Sequence, residues 1–249
     1  MSDTSDQPTN YQIEAEYFEH QAGFRDVPAE FFDVFERVKT ETMTSRERVY
    51  ATYNATTYVA NAGIPGAFVE CGVWRGGSAM TYALAAGQCG DTSREIYLYD
   101  TYQGLPKPED LDVDLWDNPA LESWAQHATD SETGSGWGEA AVEVVRANMQ
   151  STGYPEDRIN YIEGMVEETI PATLPDPISI LRLDTDWYSS IKHAMEHLYP
   201  RLSRGGVLII DDYGHWRGAR QAVDEYMAAH GVSMLLNRWA SAEFSSTVR

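Results

Sequence analysis

Short apolar runs that alternate with helical stretches dominate the chain between residues 66 and 230. The runs are GAFVECG, REIYLYD, RINYIEG, ISILRLD and GVLIIDD, and the helical stretches are 76–88, 138–150, 189–202 and 217–230. This alternation predicts a parallel sheet with helices on both faces. Such sheets bind ligands beyond the carboxyl ends of their strands. The last segments, VSMLLNRW and AEFSSTVR, predict a closing hairpin.

Four aspartates lie at two of these strand ends. Asp184 and Asp186 follow one apolar run, and Asp211 and Asp212 follow the next. Carboxylates so close together repel one another strongly unless a cation lies among them. Asp184, Asp211 and Asp212 are hard oxygen donors of the kind that Mg²⁺ prefers. Asp186 is a candidate base for the proton of a substrate hydroxyl, whose pKa a metal lowers. The alternative is that Asp186 or Asp212 caps the next helix.

The first strand runs into a glycine-rich turn, ECGVWRGGSA, and then into a helix. This order brings backbone N–H groups and a helix N-terminus near a ligand. No Lys follows the glycines as in a P-loop, and the dinucleotide spacing is absent. Glu70 and Gly72 instead suit a cofactor with a cationic amino-acid end, because a carboxylate accepts from an ammonium and glycine lets the backbone approach. A tight strand–helix turn without a ligand is the alternative.

Two further strand ends extend this cofactor pattern. Asp100 ends the second strand, where an acidic residue commonly accepts hydrogen bonds from two ribose hydroxyls. An exposed loop aspartate is the alternative. Gly164 and Met165 follow the third strand and offer a backbone-plus-apolar site for a flat base.

The six histidines are scattered along the chain. His193 and His197 have helical spacing but no evident third ligand, which favours a helix surface over a zinc pair. His215 follows the second acidic pair, and His127 lies in the long segment described next. Either is a candidate second base or substrate contact.

The segment from 103 to 138 does not fit the alternation. It is acidic and rich in Trp, Pro and Gly. A connection longer than about 15 residues is usually a functional lid or disordered. Trp116, Trp124 and Trp137 favour a lid, because disordered segments contain few aromatic residues.

The N-terminal region is predicted to be a disordered tail (1–10) followed by a helical extension (11–63). In PAEFFDVFERVKTET, helical spacing places four apolar residues on one face of the helix, namely Phe31, Phe32, Phe35 and Val38. This Phe-rich face is a candidate dimer contact or part of the lid, and a homo-oligomer is expected. Thr44 or Ser45 is predicted to cap the next helix.

Composition limits the partners. The net charge is −21, from 18 basic and 39 acidic residues. Nucleic-acid backbones and anionic membranes are bound by clustered Lys and Arg, so neither is an expected partner. Only Cys71 and Cys89 are present, which predicts a reducing cytoplasm. No signal-peptide pattern is evident, and no run approaches the roughly 20 apolar residues of a membrane span.

Several motifs together resemble one family. The segments TMTSRERVYA, IPGAFVECGVWRGGSAM, IYLYDTYQGLP and LRLDTDWYSSIKHAMEHLYPRLSRGGVLIIDDYGHWRGARQAVDEY resemble the macrocin O-methyltransferase family. The resemblance runs from about residue 40 to the C-terminus. It implies an α/β, Rossmann-like class I methyltransferase fold over residues 64–249, with a mostly parallel seven-stranded sheet. It also implies dependence on S-adenosylmethionine and Mg²⁺.

The resemblance implies roles for individual residues. Asp184, Asp211 and Asp212 would bind the metal, and Asp186 is the candidate base. The implied cofactor contacts are Glu70, Gly72, Ser78, Asp100 and Gly164, with Thr44 or Ser45 near the methionine end. Residues 1–40 and 103–138 match least and are expected to choose the acceptor.

The preferred interpretation is methylation of a sugar hydroxyl on a glycosylated natural product or an oligosaccharide precursor of a polysaccharide. A catechol-type phenol methyltransferase is the closest alternative among enzymes. A non-catalytic S-adenosylmethionine-binding protein is the alternative from another class.

Overall fold

A computed structural model of the chain describes residues 27–129 and 134–238 in full, and residues 244–247 by their backbone. The predicted tail, His20 and the first part of the predicted helical extension (11–26) lie outside the described residues.

Within the described residues, seven strands form a single sheet. They are β1 (Ala67–Cys71), β2 (Ile96–Asp100), β3 (Ile159–Glu163), β4 (Ile178–Leu183), β5 (Leu202–Ile210), β6 (Asn237–Arg238) and β7 (Phe244–Thr247). Their order is β3-β2-β1-β4-β5-β7-β6. The first five strands pair in parallel, and β7 is antiparallel to both β5 and β6. The predicted α/β class with a parallel sheet is therefore confirmed, although β5 begins four residues before the predicted Gly206.

Helices cover the sheet. They are α1 (Ala29–Val38), α2 (Arg46–Asn61), α3 (Gly77–Gln88), α4 (Ala120–Gln126), α5 (Val142–Thr152), α6 (Val166–Thr169), α7 (Tyr188–His197) and α8 (Arg217–His230). The helix predicted over 189–202 ends early, in a 3₁₀ turn at Tyr199–Arg201, because Pro200 cannot continue an α-helix. Within the described residues, no helix combines the length and apolarity that a bilayer crossing requires.

Alternate residues of the central strands enter two hydrophobic clusters, one on each face of the sheet. Phe68 and Ile180 belong to the cluster that includes buried residues of α1, α2, α3 and α5. Val69 and Leu181 belong to the cluster that includes α7 and α8. The sheet is thus buried on both faces, and its open end, rather than a face, is left for a ligand.

Helix α1 packs into the core of the chain through one face. Its buried residues are Phe31, Val34, Phe35 and Val38. The predicted place of Phe32 on this face is wrong, because Val34 takes it and Phe32 lies half-buried at its edge. Since the ring of Phe31 contacts Tyr50 of α2 at 5.0 Å, the predicted dimer contact is instead buried inside the chain.

Replacing Phe31 with Ala should destabilise the chain by about 3–5 kcal/mol, because its fully buried ring would leave a cavity. The matched Phe32→Ala variant removes a half-exposed ring and should cost less than about half as much. Urea unfolding followed by circular dichroism measures both variants. Equal losses would contradict the burial of α1 in the core.

Candidate active site

A cavity of about 360 Å³ lies at the carboxyl ends of the parallel strands, the end at which the sequence places a ligand. Nearly all predicted site residues line it, namely Thr44, Glu70, Gly72, Ser78, Asp100, Gly164, Met165, Asp184, Asp186, Asp211, Asp212 and His215. Ser45 and His127 are the exceptions. The fold therefore brings together residues that lie far apart along the chain.

Three aspartates form a compact oxygen cluster in this cavity. One carboxylate oxygen from each of Asp184, Asp211 and Asp212 lies within 4.8 Å of the others. The strand register places them, because the Asp211 N–H donates to the Leu183 carbonyl at 2.9 Å. Oδ2 of Asp212 is buried and has no hydrogen-bond partner among the described residues. An all-oxygen set with an unsatisfied acceptor fits a divalent cation.

Arg182 lies beneath this cluster, and sequence reasoning missed it. It is 1% exposed and is the last residue but one of β4. Its Nη1 donates to Glu70 Oε1 at 2.9 Å and to Asp184 Oδ2 at 2.6 Å, while its Nη2 donates to Asp211. A guanidinium is tolerated at such depth only when its charge and donors are matched. The sequence does contain an indication of this role, because Arg182 is the one charged residue of the strand ISILRL.

Arg48 of α2 is the second residue that sequence reasoning missed. It lines the cavity and pairs with Oδ2 of Asp211, so both Asp211 oxygens contact a guanidinium. Ser45 caps α2 and its side chain accepts from the Arg48 N–H at 3.5 Å. The prediction that Thr44 or Ser45 caps this helix is thus confirmed for Ser45, and its predicted contact with the cofactor stays a prediction.

Asp186 and Asp212 form a hydrogen-bonded pair beside Asp184. Burial, and then the charges of Asp212 and Asp184, raise the pKa of Asp186 well above its usual range. Burial and the Asp184 charge raise the pKa of Asp212 to about 6. The indole N–H of Trp216 donates to Asp186 Oδ1 at 2.9 Å. The helix-capping alternative is not observed, because the N-caps of α7 and α8 are Trp187 and Trp216.

Predictions from the sequence concern four of the five described histidines. His215 lines the cavity, and burial lowers the pKa of its imidazole, which favours the neutral form. His127 is exposed, lies outside the cavity lining and contacts the Ser123 carbonyl instead. His193 and His197 stack at 4.1 Å on α7, and the described residues supply no metal-binding group around them.

Glu70 faces the cavity with an oxygen that is not satisfied. Its Oε1 accepts from Arg182, but its Oε2 is buried without a hydrogen-bond partner among the described residues. Burial raises the pKa of Glu70 to about 8, against the lowering effect of Arg182. A buried acceptor that lines a cavity and lacks a donor fits the ammonium group of an amino-acid ligand.

The glycines of the loop after β1 are required by neighbouring backbone. Gly72 has a φ of +84°, and a Cβ there would lie 1.9 Å from the Asp184 carbonyl oxygen. A Cβ at Gly77 would lie 2.5 Å from the Glu41 carbonyl oxygen. Gly72 is thus required by the close approach of β4 to β1, and its predicted contact with a cofactor stays a prediction.

Asp100 holds the same loop in shape. Its carboxylate accepts from the backbone N–H groups of Val73 at 2.5 Å, Trp74 at 3.1 Å and Tyr102 at 2.7 Å. A ribose would share this carboxylate with three backbone donors. The exposed-loop alternative is wrong, because Asp100 lines the cavity and is partly buried.

The remaining predicted cofactor residues lie around the same cavity. The hydroxyl of Thr44 is 2.9 Å from that of Thr42, and both residues are buried. Ser78 is buried in the first turn of α3. The Gly164 N–H donates to the Asp100 carbonyl at 3.0 Å, and Met165 precedes α6.

The predicted lid is fastened to the rest of the chain. The buried Asp112 carboxylate accepts from the backbone N–H of Tyr188 at 2.8 Å. The Trp187 indole N–H donates to the Pro106 carbonyl at 2.9 Å. These bonds fix residues 106–112 against the start of α7, directly after Asp186.

Only one of the three predicted lid tryptophans reaches the cavity. Trp137 lines it and packs edge-on against Trp187 at 5.9 Å and Trp216 at 6.2 Å. Trp124 donates to a backbone carbonyl within the segment. Trp116 is 67% exposed and lies 6.1 Å from the His215 ring.

Similarity to known proteins agrees with this geometry. Residues 36–241 match the family described as macrocin-O-methyltransferase (TylF). The 8-demethyl-8-(2,3-dimethoxy-alpha-L-rhamnosyl)-tetracenomycin-C 4'-O-methyltransferase of Streptomyces olivaceus is 35% identical over 185 residues, which are 73% of this chain and 65% of that protein. The mycinamicin III 3''-O-methyltransferase of Micromonospora griseorubida is 31% identical over 193 residues, which are 77% of this chain and 72% of that protein.

Solved structures give the same result. The O-methyltransferase NovP superposes with a TM-score of 0.72 at 25% identity, over 84% of this chain and 82% of that chain. The sheet order, the cavity at its carboxyl end and the sequence match agree with one another. The chain belongs to the macrocin O-methyltransferase family.

Proposed function

We propose that this chain is an S-adenosylmethionine- and Mg²⁺-dependent O-methyltransferase that methylates a sugar hydroxyl of a glycosylated small molecule. The proposal rests on two groups of carboxylate oxygens that lie in one cavity, each with an acceptor that has no hydrogen-bond partner among the described residues. The aspartate cluster fits a divalent cation, and the free oxygen of Glu70 fits an ammonium. The guanidinium of Arg182 contacts both.

The residues present fit both groups. Asp184, Asp211 and Asp212 would hold the cation, and Glu70 would hold the amino end of the methyl donor. When bound, the cation lowers the pKa of the acceptor hydroxyl, and S-adenosylmethionine supplies the methyl group.

Asp186 is the side chain that takes the acceptor proton. It lines the cavity and lies two residues beyond Asp184, so its carboxylate is within the region where a hydroxyl bound at the aspartate cluster would lie. The Trp216 N–H fixes one of its oxygens, and a φ of +63° holds its backbone in a conformation uncommon for residues other than glycine. His215, neutral through burial, is the second candidate base.

The walls of the cavity position the reacting groups. Methyl transfer by displacement depends chiefly on holding the two reactants in line. The apolar side chains of Leu105, Trp137 and Trp216 line the acceptor side and limit access of water. The rhamnosyl acceptor named for one relative supports a sugar over a phenol. A homo-oligomer and a cytoplasmic location remain predictions from the sequence.

An acceptor panel tests the proposed reaction. The chain is incubated with methyl-deuterated S-adenosylmethionine, Mg²⁺ and a panel of aryl rhamnosides, other glycosides, oligosaccharides and catechol. Fragmentation in a mass spectrometer should place the label on a sugar oxygen. Label on catechol alone would support the phenol alternative. S-adenosylhomocysteine binding without any transfer would support a non-catalytic protein.

The Asp184→Asn variant should lose turnover by more than about 100-fold, because it removes a charged ligand of the cation. Its affinity for S-adenosylhomocysteine should stay within about threefold of wild type, since asparagine keeps the shape of Asp184 and Glu70 keeps its contact with Arg182. Labelled-methyl turnover and calorimetry measure the two quantities. Wild-type enzyme in excess chelator should show the same loss. Full turnover under chelation would overturn the cation role.

The Glu70→Gln variant should weaken S-adenosylhomocysteine binding about tenfold at high pH, because hydrogen bonds to charged groups are worth about 1.5–3 kcal/mol. Burial raises the pKa of Glu70 to about 8, so wild-type affinity should rise as pH approaches that value and the carboxylate ionises. The variant should lack this rise. Calorimetry across the pH range measures the affinity of both proteins. If the affinity of the variant rises with pH as it does in wild type, Glu70 does not bind the amino group.

A further inference from the structure

Both oxygens of Asp211 are engaged by arginines. Oδ1 contacts Arg182, and Oδ2 contacts Arg48. A cation held by Asp211 would therefore share a carboxylate oxygen with a guanidinium, which it repels, or displace that guanidinium.

The two arginines differ in how easily each side chain can move away from Asp211. Arg182 contacts Glu70, Asp184 and Asp211 at once, and its side chain is 2% exposed. Its withdrawal would leave buried charges without a partner, which is strongly unfavourable. The Arg48 side chain is 16% exposed and lines the cavity. Of the two, Arg48 is the one that can leave Asp211.

We propose that Arg48 is a positioning residue that holds Asp211 ready for the cation and competes with the cation for the Oδ2 oxygen. This inference rests on the proposed function, because it requires a cation among the three aspartates. Arg48 thus preorganises the site and also lowers its cation affinity.

The surroundings of Arg48 support an exchange that needs only its side chain. Its backbone lies in the capped first turn of α2, and Val49 and Thr52 anchor that helix as buried residues. Near the guanidinium lie the negative Asp211 and the imidazole of His215, whose pKa the Arg48 charge lowers. A divalent cation at Asp211 repels the guanidinium, and the side chain can turn into the cavity while its helix stays in place.

Mn²⁺ binding to the full chain without methyl donor tests the proposal. The Arg48→Gln variant should bind Mn²⁺ at least about threefold more tightly than wild type, because the competing ion pair is gone. The Arg48→Lys variant should lie between them, because lysine keeps the charge and loses the planar fork. Electron paramagnetic resonance of free Mn²⁺ measures all three. S-adenosylhomocysteine affinity should stay within about twofold.

Thermal unfolding gives an independent readout. In chelator, Arg48→Gln should melt below wild type, because Asp211 loses a positive partner beside Asp184 and Asp212. Saturating Mg²⁺ should raise its melting temperature more than it raises that of wild type, in line with tighter binding. Structural damage alone would predict weaker cation binding, which is the opposite direction.

Matched controls separate the possible results. Arg75→Gln removes a positive charge from Glu41, which lines the same cavity, and should leave Mn²⁺ affinity within about twofold. Asp184→Asn should abolish binding and so identify the site.

Equal or weaker Mn²⁺ binding by Arg48→Gln, or an equal gain in Arg75→Gln, overturns the inference and leaves the proposed function standing. Absence of Mn²⁺ binding in every variant and in wild type overturns the proposed cation site, and the inference with it. If Arg48→Gln does not fold, the order of Arg48→Lys and wild type decides in the same way.

Discussion

The buried ion pairs of Arg182 are the interactions on which the site depends. Its guanidinium and that of Arg48 are two positive charges near five carboxylates at the ends of three strands. The carboxylates are those of Glu70, Asp184, Asp186, Asp211 and Asp212. Formally, five negative and two positive charges leave three negative charges in excess. The pKa values of Glu70, Asp186 and Asp212 are raised in consequence, with burial as the first cause. A divalent cation and a methyl donor of net charge +1 would offset these three charges, and Glu41, Asp100 and Glu167 add further carboxylates to the same cavity.

The topology of the sheet explains how this charge is concentrated. Strands β1, β4 and β5 are neighbours in the sheet, and parallel strands end at the same edge. Glu70 lies opposite Arg182 in the register, so their side chains leave the sheet on the same face. The helices after β4 and β5 then begin beside one another at this edge. A hydrophobic cluster on each face of the sheet keeps these elements fixed.

Local patterns in the sequence predicted the strands, the helices and the edge of the sheet that carries the cavity. They did not predict ion pairs between residues that are distant in the sequence. The apolar runs located β1 to β5, and their last residues located the cavity. The contacts of Gly72 and Asp100 with nearby backbone were not predicted, because they depend on residues distant in sequence, and their cofactor contacts stay predictions. Arg48 pairs with Asp211 from a distant helix, and no local pattern distinguishes it from an arginine on a helix surface. Arg182 could have been found, since a charge inside a buried strand requires partners.

The segment proposed to recognise the acceptor is attached to the end of the sheet that carries the cavity. The segment from 103 to 138 is attached through Asp112, whose carboxylate contacts the start of α7 two residues after Asp186. A Cβ at Gly218 would lie 2.3 Å from the same carboxylate, so the start of α8 is packed closely against this segment as well. An acceptor that shifts the inserted segment would therefore shift the helix starts that follow Asp186 and Asp212. The segment proposed to choose the acceptor thus contacts the helix that follows Asp186, the proposed base, so changes of specificity in this segment should alter turnover together with acceptor affinity.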